Sequence, residues 1–426
     1  MIKIAMLGAG SQFTVNLARD IMLIPGLGGG EFALVDIDPE RLRLAGAMVR
    51  KMAGMIGGDW RVTEAVDRRE VLAGSDFLVN SIEVSGAEAT RMEYEIPKRH
   101  GVDLNIGDTL NAGGLFKAFR NIPTWLEVLG DAEALCPGAL VLNYSNPMSS
   151  MTLAAARSSR MRVLGLCHSV QNTAAQLASY LGVAEPELEW ACAGINHMAW
   201  FTVLRRAGQD MYPRLLERGA DPEVYARDRV RFDALRHLGC FVSESSAHFA
   251  EYVPYYRKRP ELLARFGLRS GRSQEWWAEY RGRDEKFRRQ AAGEQAIDMK
   301  RSNEYASVII EAVVLDRPAT VFASVPNRGL VANLPQDGIV EVACTVGGGV
   351  SPRSFGKLPA HLAALCASNM AFFDLAVTAA LNHDKEAAYH ALMLDPLTAA
   401  ACAPDEIVRM ADELFAAEAA FLRGWA

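Results

Sequence analysis

The chain has 426 residues, half of them apolar and 23% charged, with a formal net charge of −6. That length suits two lobes sharing an extended core, and the acidic balance, with no basic run interleaved with aromatics, excludes a nucleic-acid-binding surface. Seven scattered cysteines without a Cys-x-x-Cys pair read as free thiols of a reducing cytoplasm and exclude a disulfide framework.

The chain goes directly into an apolar strand over residues 2–7, with no basic region or cleavage site, so it does not read as a signal peptide. No apolar stretch is expected to reach the ~20 residues that span a bilayer, and a cytoplasmic protein without membrane partners is the expectation. A glycine turn leads into a helix over about 14–23. Residues 31–36 form a second strand, and Pro39 opens a helix to about residue 55, because proline is tolerated in a first helical turn. Residues 76–81, 140–144 and 162–166 read as further strands, each ending in a polar cluster. Strands separated by helical patterns predict βαβ units and a parallel sheet.

From about Gln171 the pattern is less regular. Residues 190–193 and 200–204 flank a polar patch, 221–239 and 276–290 are charged, amphipathic and helical in pattern, and 320–324 and 338–344 read as antiparallel strands. From Leu358 the chain is alanine-rich and helical almost to its end. There is no internal repeat or low-complexity linker, so the two lobes are expected to pack intimately.

The turn Gly8-Ala9-Gly10-Ser11, continued by Gln12 and Phe13, lies between the first strand and the first helix. Glycines there let backbone N–H groups approach a pyrophosphate, and the helix N-terminus favours its negative charge. Phe13 stands where the third glycine of the usual fingerprint belongs, and Gly-x-Gly also occurs in ordinary strand turns. Asp36 closes the second strand, where a carboxylate would bond the ribose hydroxyls of NAD and repel the extra phosphate of NADP. Asn80 and Glu83 follow the third strand and Asn146 the fourth; ligands of open α/β sheets bind outside such carboxyl ends. The expected fold is therefore α/β, with residues 1–170 forming a Rossmann-type, lactate/malate dehydrogenase-like NAD-binding domain. Residues 171–426 are expected to form a mixed α+β lobe for substrate, metal and oligomerisation.

Cys167 and His168 end one strand, and Asn196 and His197 follow another about thirty residues later. A thiolate and an imidazole brought together hold a divalent cation with open positions for substrate oxygens, but a lone Cys and a lone His also simply pack in a core.

Taken in order, GAGS, VDIDPERL, GDT..AGG..KAFRNIP, LNYSNPM, GLCHSVQ, CAGINHMAWF, ESSAHFAEYVPYY, SNEYAS, NLPQDGIVEVAC and LPAHLAAL resemble glycoside hydrolase family 4 over essentially the full length. CHSV, CAGINHMA and ESS.HFAEY.P are most similar to its α-galactosidase branch. NAD-dependent members of this family depart from two-carboxylate glycoside hydrolysis. The resemblance implies NAD taking and returning a hydride at C3 of the sugar and Mn²⁺ or another divalent cation on O2 and O3 as Lewis acid. A base would remove the C2 proton, and the aglycone would leave by elimination before water adds.

By the same resemblance Cys167 and His197 are the metal ligands. Tyr252 is the candidate C2 base, with Glu251 or His248 as alternatives. His168 is the candidate acid assisting the aglycone, or a contact to substrate hydroxyls. Asn146 and Asn196 would meet the sugar or the nicotinamide ribose. Arg120, with Asp108, would line the pocket or serve a buried structural pair. The substrate would be an α-galactoside, or another α-hexoside or α-uronide (α-glucosidase, α-galacturonidase), and the assembly a homodimer or homotetramer. Asn111, Lys117 and Asn303 depart from the family's pattern, which leaves sugar preference open. A malate/lactate-type 2-hydroxyacid dehydrogenase is the alternative on the same architecture.

Overall fold

The computed structural model describes residues 1–84, 86–271 and 285–425, without the side chain of Gln12. Its frame is a single sheet of 13 strands. Six are parallel: β1 (Ile2–Leu7), β2 (Gly29–Val35), β3 (Asp59–Ala65), β4 (Phe77–Asn80), β5 (Leu140–Asn143) and β6 (Arg162–Gly165), in the spatial order β3-β2-β1-β4-β5-β6. This is the doubly wound dinucleotide-binding order, whose crevice opens between β1 and β4. Near-continuous Val, Leu, Ile and Ala in β1, β4 and β5 match strands covered on both faces by helices. Strand β3 is missing from the sequence reading because it is an edge strand in which Ala65 alone is buried, while its apolar Trp60 and Val62 are only half-buried among polar neighbours.

Helices α1 (Gln12–Met22), α2 (Pro39–Ile56), α3 (Gly86–Arg99), α4 (Asn111–Leu135), α5 (Met148–Ser158) and α6 (Ser169–Leu181) connect or cover these strands. Asp38 caps α2 by accepting from the N–H groups of Glu40 and Arg41 (2.9 and 3.1 Å). Helix α4 has an Asn-Ala-Gly-Gly start, an internal Pro123 and buried residues on every side, so it shows none of the one-sided periodicity that marks a surface helix.

The sheet continues into the second half of the chain. The hairpin of β11 (Ala319–Pro326) and β12 (Ile339–Val346) lies beside β6, followed by β7 (Glu189–Ile195), β8 (Met198–Arg206) and β10 (Phe241–Val242), with β9 (Gln209–Asp210) and β13 (Val350–Pro352) on side branches. All these pairings are antiparallel. The hairpin joins its neighbours through single rungs, Ser324 with Gly165 and Glu341 with Gly194. The helical reading of 221–239 resolves into two helices, Pro222–Arg227 and Arg229–Leu238, broken at Asp228. Most of the expected helix at 276–290 lies outside the described residues.

One expectation is corrected. Helix Ala360–Asn382 is long and apolar enough to cross a membrane by length and composition. Over half of its most apolar stretch is buried, and it packs on α4 and α5, which explains its apolarity as that of a core helix.

Candidate active site

The dinucleotide turn is built by backbone approach. The N–H groups of Gly8 and Ala9 both donate to Val35 O (3.0 and 2.9 Å). Gly8 has φ +75°, and a Cβ there would stand 2.7 Å from Ser81 O, so only glycine lets β1 turn this close to the end of β4. Ser11 caps α1, its side chain accepting from Phe13 N at 3.2 Å, and the Phe13 ring meets Tyr144 edge-on. Asp36 accepts from Gly10 N at 2.7 Å and from Asp38 N at 3.0 Å. Its carboxylate thus braces the turn while remaining partly exposed beside it.

Two residues expected at the site have their side chains engaged elsewhere, Arg120 in the second of its two expected roles. Asn80 is fully buried, and its amide donates to Asn143 Oδ1 (2.8 Å) and Ser145 Oγ (3.2 Å), so it holds the ends of β4 and β5 together behind the crevice. Arg120 has no exposed side-chain surface and pairs with Glu93 and Glu418. Two carboxylates around one guanidinium in the interior form a structural triad, not a substrate clamp, and burial pushes Glu418 up to about 8. Exposed Glu83 bonds Lys117 Nζ at 2.7 Å. Asn303 donates to Asn172.

Three donors converge where the two parts of the sheet meet. Cys167 lies just beyond β6, His197 in the two-residue β7–β8 turn and Glu244 just after β10, with their ligand atoms within 4.8 Å of one another. His197 and Glu244 both have left-handed backbone, φ +64° and +74°. Non-glycine residues pay of order 1–3 kcal/mol for such strain and concentrate at functional sites. Burial, then Glu244 and Glu341, push the Cys167 thiol up to about 12. Burial opposes ionisation of Glu244, but His197 and His248 outweigh it and draw its carboxyl down to about 2.

A closed ring of polar groups adjoins these donors. Tyr252, 1% exposed, donates to Thr109 Oγ1 (2.8 Å) and lies 3.1 Å from His197 Nδ1. Thr109 Oγ1 is 3.2 Å from His248 Nε2. His248 faces Asp108 at 3.5 Å and Glu244 at 3.8 Å, and Asn146 donates to Asp108 at 2.8 Å. Burial pushes the Tyr252 hydroxyl well above its ordinary range. It disfavours the Asp108 charge too, yet His248 and Lys117 hold that carboxyl well below the usual carboxylate range. Glu251 points the other way, accepting from the backbone of Ile106 (2.9 Å) and Gly107 (3.1 Å). It therefore fixes the loop that presents Asp108 and Thr109. The Ala-Gly-Gly start of α4 packs under that loop, where a Cβ on Gly114 would lie 2.3 Å from the Thr109 backbone.

His168, at the start of α6, places Nδ1 3.0 Å from Glu304 Oε1. That bond raises His168 to about 9, against its partial burial. Beneath the cluster, Glu341 is fully buried and its carboxyl faces the side chain of Asn196, itself 2% exposed. Burial pushes Glu341 up to about 8. Sequence reasoning missed Glu244, Glu304 and Glu341. The only local sign of Glu244 was the polar run Ser243–His248 after an apolar strand.

Known proteins share this frame. A family model described as family 4 glycosyl hydrolase matches residues 3–183, and the model of that family's C-terminal domain matches 192–398. An α-galactosidase of Bacillus subtilis (strain 168) is 38% identical, covering 99% of this chain and 99% of the relative. An α-galactosidase of Rhizobium meliloti (strain 1021) is 35% identical, covering 100% and 90%. An α-galacturonidase of Lachnoclostridium phytofermentans is 27% identical, covering 99% and 97%. The 6-phospho-β-glucosidase of Thermotoga maritima, solved with manganese, NAD⁺ and glucose-6-phosphate, superposes with a TM-score of 0.83 at 19% identity, covering 99% of each chain. A malate dehydrogenase of Plasmodium falciparum shares the fold more distantly, with a TM-score of 0.55 at 13% identity over 90% of this chain and 99% of that one.

Proposed function

The chain belongs to family 4 of the glycosyl hydrolases, and on that premise we propose that it is an NAD- and divalent-metal-dependent α-galactosidase. The observation that carries the reading is the convergence of Cys167, His197 and Glu244 at the carboxyl end of a sheet whose first turn is shaped for a dinucleotide.

The residues fit both groups. A thiolate, an imidazole and a carboxylate form a donor set for a divalent cation with positions left for substrate oxygens. The Gly8–Ser11 turn and the N-terminus of α1 suit a pyrophosphate, with Gln12 and Phe13 continuing that wall and Asp36 and Glu83 beside it. When bound, the dinucleotide supplies a hydride acceptor that returns its hydride, and Mn²⁺ or a similar ion supplies a Lewis acid.

Tyr252 takes the C2 proton. Its own proton has an exit, because its hydroxyl donates to Thr109 Oγ1, whose proton can pass to Nε2 of a His248 ring that starts the step neutral. His248 in turn faces Asp108 and Glu244. A buried phenol far above its ordinary pKa acts as a base only through such a connected acceptor. His168 gives a proton to the departing aglycone oxygen. Asn146 and Asn196 orient the sugar hydroxyls.

The substrate class follows from charge. Lys117 and His168 are already paired with Glu83 and Glu304, and His197 and His248 face Glu244 and Asp108. Glu244 and Asp108 add negative charge. A uronate or phosphate on the sugar would meet carboxylates here, which favours a neutral α-hexoside. The higher identity to the α-galactosidases than to the α-galacturonidase agrees.

The test is a panel of p-nitrophenyl α- and β-glycosides and α-galacturonide, assayed with NAD⁺, Mn²⁺ and a thiol reductant. α-Galactoside cleavage should require all three and leave no net NADH. Undiminished cleavage by enzyme freed of dinucleotide sinks the reading, and steady NADH accumulation points to a dehydrogenase instead.

A further inference from the structure

His168 heads α6, yet its side chain makes no capping bond to that helix. Instead its Nδ1 is turned to Glu304 Oε1, 3.0 Å away and 136 positions further along the chain. The ring is 53% exposed and the Glu304 side chain 12%. An exposed ion pair that must immobilise two side chains contributes little to stability. Here one side is immobilised beforehand.

Glu304 sits on a loop held by the helix of the dinucleotide turn. Asp20 of α1, fully buried, accepts from Ser302 N at 3.1 Å and from the Ser302 hydroxyl. The neighbouring Arg19 donates to Asp298 O at 2.9 Å. Ser302 Oγ accepts from Glu304 N at 3.3 Å, and Tyr144 Oη accepts from Ala306 N at 2.9 Å. Among the described residues the second carboxyl oxygen of Glu304 is buried without a partner, and the one bond the carboxylate makes goes to His168.

We propose that Glu304 is a positioning residue that holds the His168 ring by Nδ1, so that Nε2–H is aimed at the leaving oxygen of the glycoside. The inference rests on the reading of His168 as the aglycone-side acid. As the C1–O bond breaks, its electron pair goes to the oxygen. The Nε2–H proton follows, leaving the N–H pair on the ring, while Glu304 keeps the Nδ1–H. The C2–H pair, freed as Tyr252 takes that proton, forms the C1–C2 double bond. Because α1 anchors the loop, the helix that faces the dinucleotide also sets the aim of the acid.

Leaving groups separate this role from a structural one. p-Nitrophenolate departs without protonation, whereas methoxide does not. Glu304→Ala should raise the ratio of kcat/KM for p-nitrophenyl over methyl α-galactoside by about 30-fold, the scale of losing an orienting outer-shell partner. Glu304→Gln, which keeps an acceptor at the same reach, should recover most of it. Ring ¹⁵N shifts of His168 in protein without added cofactors, recorded at alkaline pH where the ring is neutral, should show the Nδ1–H tautomer in wild type and a tautomer mixture in Glu304→Ala. A ratio within about twofold of wild type, with unchanged ring shifts, overturns the proposal. His168→Asn separates the two failures. If the ratio rises there but not in Glu304→Ala, His168 is the acid and Glu304 does not aim it. If it rises in neither, the reading of His168 itself fails.

Discussion

The Nδ1 of His197 lies 3.1 Å from the hydroxyl of Tyr252, and its Nε2 lies 3.6 Å from Glu244. One imidazole therefore joins the metal-donor trio to the proposed base. A ligating histidine commonly uses its second nitrogen to bond an outer partner that fixes the ring, so Tyr252 is placed to support His197 as well as to serve as the proposed base.

Tyr252→Phe separates the two parts. Mn²⁺ affinity, read by calorimetry, should fall by no more than about tenfold, the lower range for an outer-shell partner. kcat should fall by at least about 100-fold, and solvent deuterium should no longer enter C2 of the released galactose. Equal losses of metal affinity and activity would reduce Tyr252 to a support for His197.

Cys167→Ser should weaken Mn²⁺ binding by at least about 100-fold, because a hydroxyl replaces a thiolate, and leave NAD⁺ affinity within about twofold. Burial raises the thiol to about 12, so binding the ion must expel its proton. Wild-type affinity should therefore climb from pH 6 to 9, and the serine variant should lose most of that slope. Equilibrium dialysis at several pH values decides it. A serine variant binding Mn²⁺ as tightly as wild type would remove Cys167 from the ligand set.

Glu341 carries a signed dependence of stability on pH. Burial raises it to about 8, so between its ordinary range and that value the folded chain holds a proton that the unfolded chain has lost. This contribution to stability is fully present at low pH and fades as pH rises through about 8. Urea unfolding of metal-free Glu341→Gln should show a gain over wild type at pH 8.5 that shrinks toward pH 5. A gain independent of pH would mean that the carboxyl is not held neutral.

Arg120→Met should strand Glu93 and Glu418 in the interior and cost about 3–5 kcal/mol, as breaking buried ion pairs does. The loss should be larger at pH 8 than at pH 5.5, where the stranded carboxyls take up protons. Chemical denaturation at both values tests this, and the folded variant should bind NAD⁺ as wild type does. A folded variant of normal stability with a raised KM would return Arg120 to the substrate pocket.

The contrast between what was and was not legible in the chain is physical. The β1–α1–β2 turn could be read because its parts, Gly8, Gly10, Ser11 and Asp36, act within one short stretch, and Asp36 indeed reaches Gly10. Cys167 and His197 could be named only through an ordered set of resemblances, since nothing local distinguishes them from packed residues. Glu244 depends on a left-handed backbone and on strand β10 docking beside β8. Arg120 sits in a pocket-like stretch of sequence, but its partners come from α3 and from beyond the last helix. Edge strand β3 is too short in apolar residues to stand out, and α4 too evenly buried to show its period.

The single rungs Ser324–Gly165 and Glu341–Gly194 set two strands between the thiol and the imidazole of the donor trio. Neither an isolated N-terminal segment nor an isolated C-terminal one can offer both, so the ion recognises only the chain whose seam has closed. Its affinity then becomes a clasp across that seam, adding RT ln(1 + [L]/Kd) to the docked state. Chelation should accordingly lower the stability of the docked state, and added manganese should restore it.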